Sequence, residues 1–249
     1  IVQNMASLYR PPHLAALWVD VAPTNAFRWE VRQGGAMALH MYGALYLHGY
    51  DSQEIADDSE AIERIQRGAE RLSEGIWDQP FTEGSTPISA VPNLEKVLMH
   101  YYRDGLYNDW WKQESLDHSQ YFDRMADVPA VYSSGWYDPF AAATSEQFAH
   151  IAKQNTSPQR LILGPWNHVS MRGKGASFVG DVEFGPAAKW GDEVLNAERF
   201  RWFDRWLKDV DTGVEDDDPV RIFVMGGGGG EYDAAGRIQH GGEWRSEQE

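Results

Sequence analysis

The feature that most limits how this chain can fold is a strand, helix, strand succession between residues 128 and 168. "VPAVYSSGWYD" is a short apolar run that breaks at Gly135, "PFAAATSEQFAHIAKQ" has helical periodicity with Pro139 at its first turn, and "QRLILGPWNH" is a second apolar run that breaks at Gly164 and Pro165. Two strands joined through one helix do not make a hairpin. They pair in parallel through a right-handed crossover, which sets the class as α/β with a parallel sheet. In open parallel sheets, functional groups collect just past the carboxyl ends of the strands. Asp138 and His168 hold those positions on the two strands, so their loops are expected side by side.

The same reading extends outward. "IVQNMASLYRPP" puts Ile1, Met5 and Leu8 on one helical face, stopped by Pro11 and Pro12, and "HLAALWVDVAP" follows as a buried strand closed by Pro23. From Thr24 to about Asp127 the texture is that of a helical insertion, in which Ile62, Ile65, Ala69 and Leu72 recur at helical spacing. "GDEVLNAERFRWFDRWLKDV" predicts an amphipathic helix with Val194, Phe200, Phe203, Trp206 and Leu207 as its apolar residues. After the acidic "DTGVEDDD" comes "PVRIFVMG", strand-like but without a partner strand of its own. It runs into Gly226 to Gly230, a flexible turn segment and no phosphate loop, because neither a Lys-Ser/Thr pair nor a helix follows.

Composition removes several function classes. The 249 residues are 42% apolar, enough for one large domain or two ordinary ones. Twenty-two Lys and Arg against 38 Asp and Glu give a net charge of −16 with no basic cluster, which argues against a nucleic-acid partner. No apolar stretch approaches the roughly 18 residues of a spanning helix, so no membrane partner is expected. The reading favours a soluble protein of the cytoplasm over a secreted one and leaves a signal peptide before Ile1 open. Cysteine is absent, which rules out disulfides, thiolate zinc sites and a cysteine nucleophile in these residues. His100, Asp104 and His118 have metal-ligand chemistry, and His100 with Asp104 share a helical face. Yet Asp104 and Gly105 resemble a helix end and no H-E-x-x-H occurs, so they are read as solvated side chains. No metal or organic cofactor is expected.

A carboxylate bonded to one imidazole nitrogen fixes the tautomer and leaves the other nitrogen to take a proton from a nucleophile. Asp138 and His168 fit that half of a triad, and their order agrees with the Ser, Asp, His order of α/β-hydrolases, whose Ser sits in G-x-S-x-G at a strand-to-helix turn. No such elbow is present. "GASFVG", with Ser177, has the wrong spacing and lies after the histidine; Ser7 lies inside the first helix, and Ser133 and Ser134 lie inside a strand. The nucleophile is most simply expected a few residues before Ile1, the chain being read as a fragment of something longer.

"SSGWYDPF", "LILGPWNH", "RFRWFDRWLKDV" and "VRIFVMG" together resemble the cocaine esterase-like hydrolases, which group with X-prolyl dipeptidyl peptidases and α-amino-acid ester hydrolases. The resemblance runs the length of the chain, strongest from Val131 to Gly226 and weak in the helical part. It implies that Asp138 is the triad acid and His168 the base, with a Ser in G-x-S-Y-x-G just before a helix like "IVQNMASL" and a tyrosine from an earlier loop as one oxyanion donor. It also implies an α/β-hydrolase core in residues 1–23 and 128–212, an inserted helical cap in 24–127, and the start of a C-terminal jelly-roll β-sandwich in 213–249. By the same resemblance Phe140 lines the acyl pocket, with core packing as the alternative. Trp136, Tyr137 and Trp166 flank the two positions and are candidates to contact substrate, although large aromatics at strand ends usually pack. Trp110 and Trp111 fall in the cap.

The implied substrate is a small-molecule ester, an α-amino ester or a short X-Pro peptide. A different class stays open, a non-catalytic module binding a ligand such as carbohydrate, suggested by eleven tryptophans and the acidic surface. Oligomeric state is not set by the sequence. Without upstream strands the sheet is expected to carry an unpaired apolar edge, which invites association.

Overall fold

Trp18 and Val19, Val131 and Tyr132, and Leu161 and Ile162 are all buried, as side chains must be on strands covered on both faces. They lie on three strands of the computed structural model, which describes residues 1–248. Along the chain the elements are α1 (Val2–Tyr9), β1 (Leu17–Asp20), α2 (His40–Tyr50), α3 (Ser59–Glu70), α4 (Leu72–Gly75), α5 (Pro92–Arg103), β2 (Ala130–Gly135), α6 (Ala141–Gln154), β3 (Gln159–Gly164), β4 (Phe178–Val179), β5 (Val182–Glu183), α7 (Asp192–Lys208), β6 (Val220–Met225), β7 (Ile238–Gln239) and β8 (Gly242–Glu247). The chain divides into two compact units, one made of Ile1–Asn25 and the residues from Asp117 onward, the other of Ala26–Leu116. No helix among the described residues is long and apolar enough to cross a membrane.

The first unit is built on a five-stranded sheet of order β1-β2-β3-β6-β8. The pairs β1/β2, β2/β3 and β3/β6 are parallel, and β6/β8 is antiparallel. Helix α6 makes the crossover from β2 to β3 and packs on both, burying Ala143, Thr144, Gln147 and Ile151 at helical spacing. The register runs from Ala130 opposite Gln159 to Gly135 opposite Gly164, so the two strands end at the same level. A smaller sheet joins β4, β5 and β7.

Three expectations change. The segment "PVRIFVMG" has partners on both sides: Val220 to Ile222 pair with Leu161 to Leu163, and the whole of β6 pairs with β8. Its Val220 and Phe223 are buried, so joining this sheet removes both apolar side chains and an open strand edge from water. In α7 the buried side chains are Leu195 and Trp202, with Phe203 and Trp206 packed beside them, while Val194, Phe200 and Leu207 are exposed. The inward stripe includes Arg199, whose guanidinium pairs with Asp20 at the end of β1, so an ion pair helps set which side of the helix faces in. In α1 the buried residues are Asn4, Ser7 and Leu8, leaving Ile1 exposed.

The second unit packs α2, α3 and α5 around Tyr42, Leu45, Tyr46, Ile65, Phe81, Ile88 and Leu98, with Trp111 closing one side. Helix α3 turns Gly68 inward and leaves Ala69 exposed. A Cβ at position 68 would lie 2.4 Å from the Tyr46 ring and 2.7 Å from Pro87, so only glycine allows this approach.

Candidate active site

The loops after β2 and β3 are fastened together by their backbones. The Trp136 N–H donates to Gly164 O at 2.9 Å and the Tyr137 N–H donates to Trp166 O at 3.0 Å. Both strands end in glycine because the chain around Trp166 crosses directly over them: a Cβ at Gly135 would stand 2.1 Å from Trp166 O, and one at Gly164 would stand 2.2 Å from the Trp166 indole. Trp166 itself is wholly buried, donates its indole N–H to Ala188 O at 2.8 Å and packs against the rings of Trp190 and Trp244. Expected as a substrate contact, it has no exposed surface to offer and instead supports the two loops from below.

Asp138 follows the first of these loops, and its side chain is completely inaccessible. One carboxylate oxygen accepts the Phe140 N–H at 2.8 Å, and the other meets His168 Nδ1 at 2.8 Å. An ionised carboxylate only accepts hydrogen bonds, so Nδ1 carries the proton and Nε2 is the basic nitrogen. The imidazole is about half exposed, at 49%, and among the described residues nothing bonds Nε2. Phe140 presents its ring edge-to-face with the imidazole at a centroid distance of 5.4 Å, which fixes the ring plane. The turn carrying His168 is held by its neighbour: Asn167 Oδ1 accepts the N–H groups of Val169 and Ser170, and Ser170 Oγ accepts the Asn167 N–H.

The structure thus brings together Asp138, His168 and Phe140. Trp136 is 39% exposed and donates its indole N–H to Phe223 O, and Tyr137, 42% exposed, lies against Phe184. Of the serines considered from sequence, Ser7, Ser133 and Ser134 are engaged or buried, whereas Ser177 is half-buried in the segment leading into β4. Ser7 Oγ accepts from Ala126 N–H, Ser133 Oγ donates to Asp20, and Ser134 is wholly buried.

His100 and Asp104 do meet, Nδ1 to carboxylate at 2.8 Å, with the imidazole stacked on Trp110. No group of three potential metal ligands forms among the described residues. His118, read from sequence as solvated, is instead buried: its Nε2 accepts from the Asn4 amide, which also exchanges hydrogen bonds in both directions with Gln147, a polar cluster that sequence reasoning missed. The one available signal was Asn4 and Ser7 at a helical spacing of three, ordinarily the mark of a solvated face.

Residues 1–170 match the family model described as "X-Pro dipeptidyl-peptidase (S15 family)". The chain belongs to this family. It is 29% identical over 143 residues to the cocaine esterase of Rhodococcus sp. (strain MB1 Bresler), the match covering 57% of this chain and 24% of that protein. A crystal structure of a CocE/NonD family hydrolase from Staphylococcus aureus has the same fold, with a TM-score of 0.52 at 16% identity over 99% of this chain and 32% of that one. The 249 residues therefore span only a quarter to a third of the length of these S15-type relatives.

Proposed function

We propose that this chain supplies the acid and base of a serine acyl hydrolase acting on esters or on X-Pro or α-amino acyl substrates. The observation that carries the reading is the buried Asp138 carboxylate on His168 Nδ1 with the opposite ring nitrogen open. In this reading a serine hydroxyl attacks the substrate carbonyl while His168 Nε2 takes its proton. The resulting tetrahedral centre collapses to an acyl-serine as His168 returns that proton to the leaving alcohol or amine. Water then repeats the sequence, giving the free acid and the original serine. Asp138 holds the tautomer and balances the imidazolium charge, and Phe140 and Trp136 border the acyl site.

The nucleophile is read as a serine immediately before α1, outside residues 1–249. The engagement or burial of Ser7, Ser133 and Ser134 supports this, as does the share of its relatives that the chain spans. Residues 26–116 are read as the inserted cap, slightly shorter than the 24–127 expected from sequence, and the β-sandwich expected from residue 213 is read as building on β6 and β8, which themselves join the core sheet.

A fluorophosphonate probe tests it. A longer protein containing the G-x-S-Y-x-G segment should be labelled on that serine, with labelling lost in His168→Ala. Residues 1–249 alone should not react. Failure of the longer protein to label would leave the reading of a non-catalytic ligand-binding module.

A further inference from the structure

The helical unit holds a second site whose chemistry the hydrolase reading does not use. A cavity of about 260 Å³ is lined by Arg64, Arg67 and Arg71, by Tyr42 and Thr86, and by Asp78. The three arginines recur along one face of α3 and the turn after it, with Gly68 between them, its lack of a side chain keeping the floor of the cavity low. In a chain of net charge −16, three guanidinium groups around one hollow are a local inversion of sign.

These arginines are only loosely compensated. Among the described residues Arg64 has no carboxylate partner; it donates to Thr86 O and Ser89 Oγ. Arg67 and Arg71 pair with Glu63 and Glu74, whose side chains are 65% and 67% exposed and do not line the cavity, so these are surface pairs that exchange at little cost. The floor adds neutral donors. The buried hydroxyls of Tyr42 and Tyr46 bond each other at 2.7 Å, which uses one of their two O–H groups and leaves the other free to donate. The Thr86 hydroxyl, on a residue only 4% exposed, lies beside Tyr42 without a well-formed hydrogen bond.

From this juxtaposition we propose that the cavity binds a phosphate group, as inorganic phosphate or as the head of a phosphate monoester. Arginine forks match phosphate oxygens two at a time, and a tetrahedral group has enough oxygens to meet three guanidiniums and a phenol at once, where a carboxylate has two. Asp78 makes the choice sharper. A carboxylate in the lining repels a fully ionised anion, but a phosphate that keeps one proton can donate it to Asp78. Sulfate cannot, so the site is expected to prefer phosphate. Every residue involved lies between Ala26 and Leu116, so the inference is independent of Asp138 and His168.

Calorimetric titration of the protein with sodium phosphate, and separately with sodium sulfate and sodium acetate, tests the site. Phosphate should bind saturably at millimolar concentration or below and more tightly than either competitor. The doubly substituted Arg67→Gln, Arg71→Gln protein changes only exposed side chains and should retain its helical circular dichroism, yet weaken phosphate binding about tenfold or more. Asp78→Asn should abolish the preference over sulfate. No saturable phosphate binding, equal binding by the double variant, or a preference for acetate would each overturn the proposal.

Discussion

Protonating His118 should destabilise the first unit by about 3 kcal/mol, a cost that appears between pH 6.5 and about 4. The ring is buried, and burial is the main reason that its pKa is held down to about 4 from an ordinary 6.5, with the nearby Asp117 opposing it. The hydrogen bonds explain why the neutral form is required. Asn4 Oδ1 is taken by the Gln147 amide, so Asn4 turns its NH₂ toward the imidazole and His118 Nε2 must accept. A proton on Nε2 would point donor against donor at the Asn4 N–H in a site closed to water.

Because the folded pKa lies below the unfolded one, the native state binds fewer protons across this interval. Stability is therefore full above pH 6.5 and falls with pH, by up to about 1.4 kcal/mol per unit, until His118 is protonated in both states below about 4. Urea unfolding of the native protein and of His118→Gln, compared at pH 7.5 and pH 4.5, isolates the effect. Gln keeps an acceptor for Asn4 but cannot titrate, so its loss of stability on acidification should be smaller by most of that 3 kcal/mol. A His118 ring titrating near 6.5 by NMR, or parallel pH dependences of the two proteins, would refute the reasoning.

Other outcomes follow from the loop geometry. Asp138→Asn in a protein that includes the nucleophile should lower kcat by about 10⁴-fold, since the amide no longer enforces the Nδ1–H tautomer; steady-state ester hydrolysis measures it. Gly164→Ala drives a methyl group into the Trp166 indole, and thermal melting should show a loss of about 1–3 kcal/mol. Asn167→Ala removes the acceptor for two N–H groups of the His168 turn and should cost about 1 kcal/mol, with broadened His168 resonances in NMR spectra as the turn loosens.

The parts of the fold that rest on periodicity and on strand breakers were legible. The crossover from β2 through α6 to β3, the helical insertion and the adjacency of Asp138 and His168 all follow from where apolar runs begin and stop. Long-range pairing was not. Nothing local in "PVRIFVMG" reveals that β3 lacks a neighbour on that side, and this alone decides where β6 goes. The inward side of α7 was misread because apolar count favours Phe200 and Leu207, whereas Arg199 reaching Asp20 and Trp202 entering the core set the rotation. At the candidate site, sequence treated Trp136 and Trp166 alike. Only the crossing of chain over Gly135 and Gly164 separates the one that stays at the surface from the one that disappears beneath it.

That crossing bears on how such a site comes into being. Asp138 and His168 hang from adjacent strands linked by a single helix, clamped by main-chain bonds and wedged by one indole, so the geometry of the pair is set by a short stretch of polypeptide. From farther along the chain only the seat of that indole is added, by Ala188, Trp190 and Trp244. Side chains around the pair can then vary while the contact between Asp138 and His168 remains as it was.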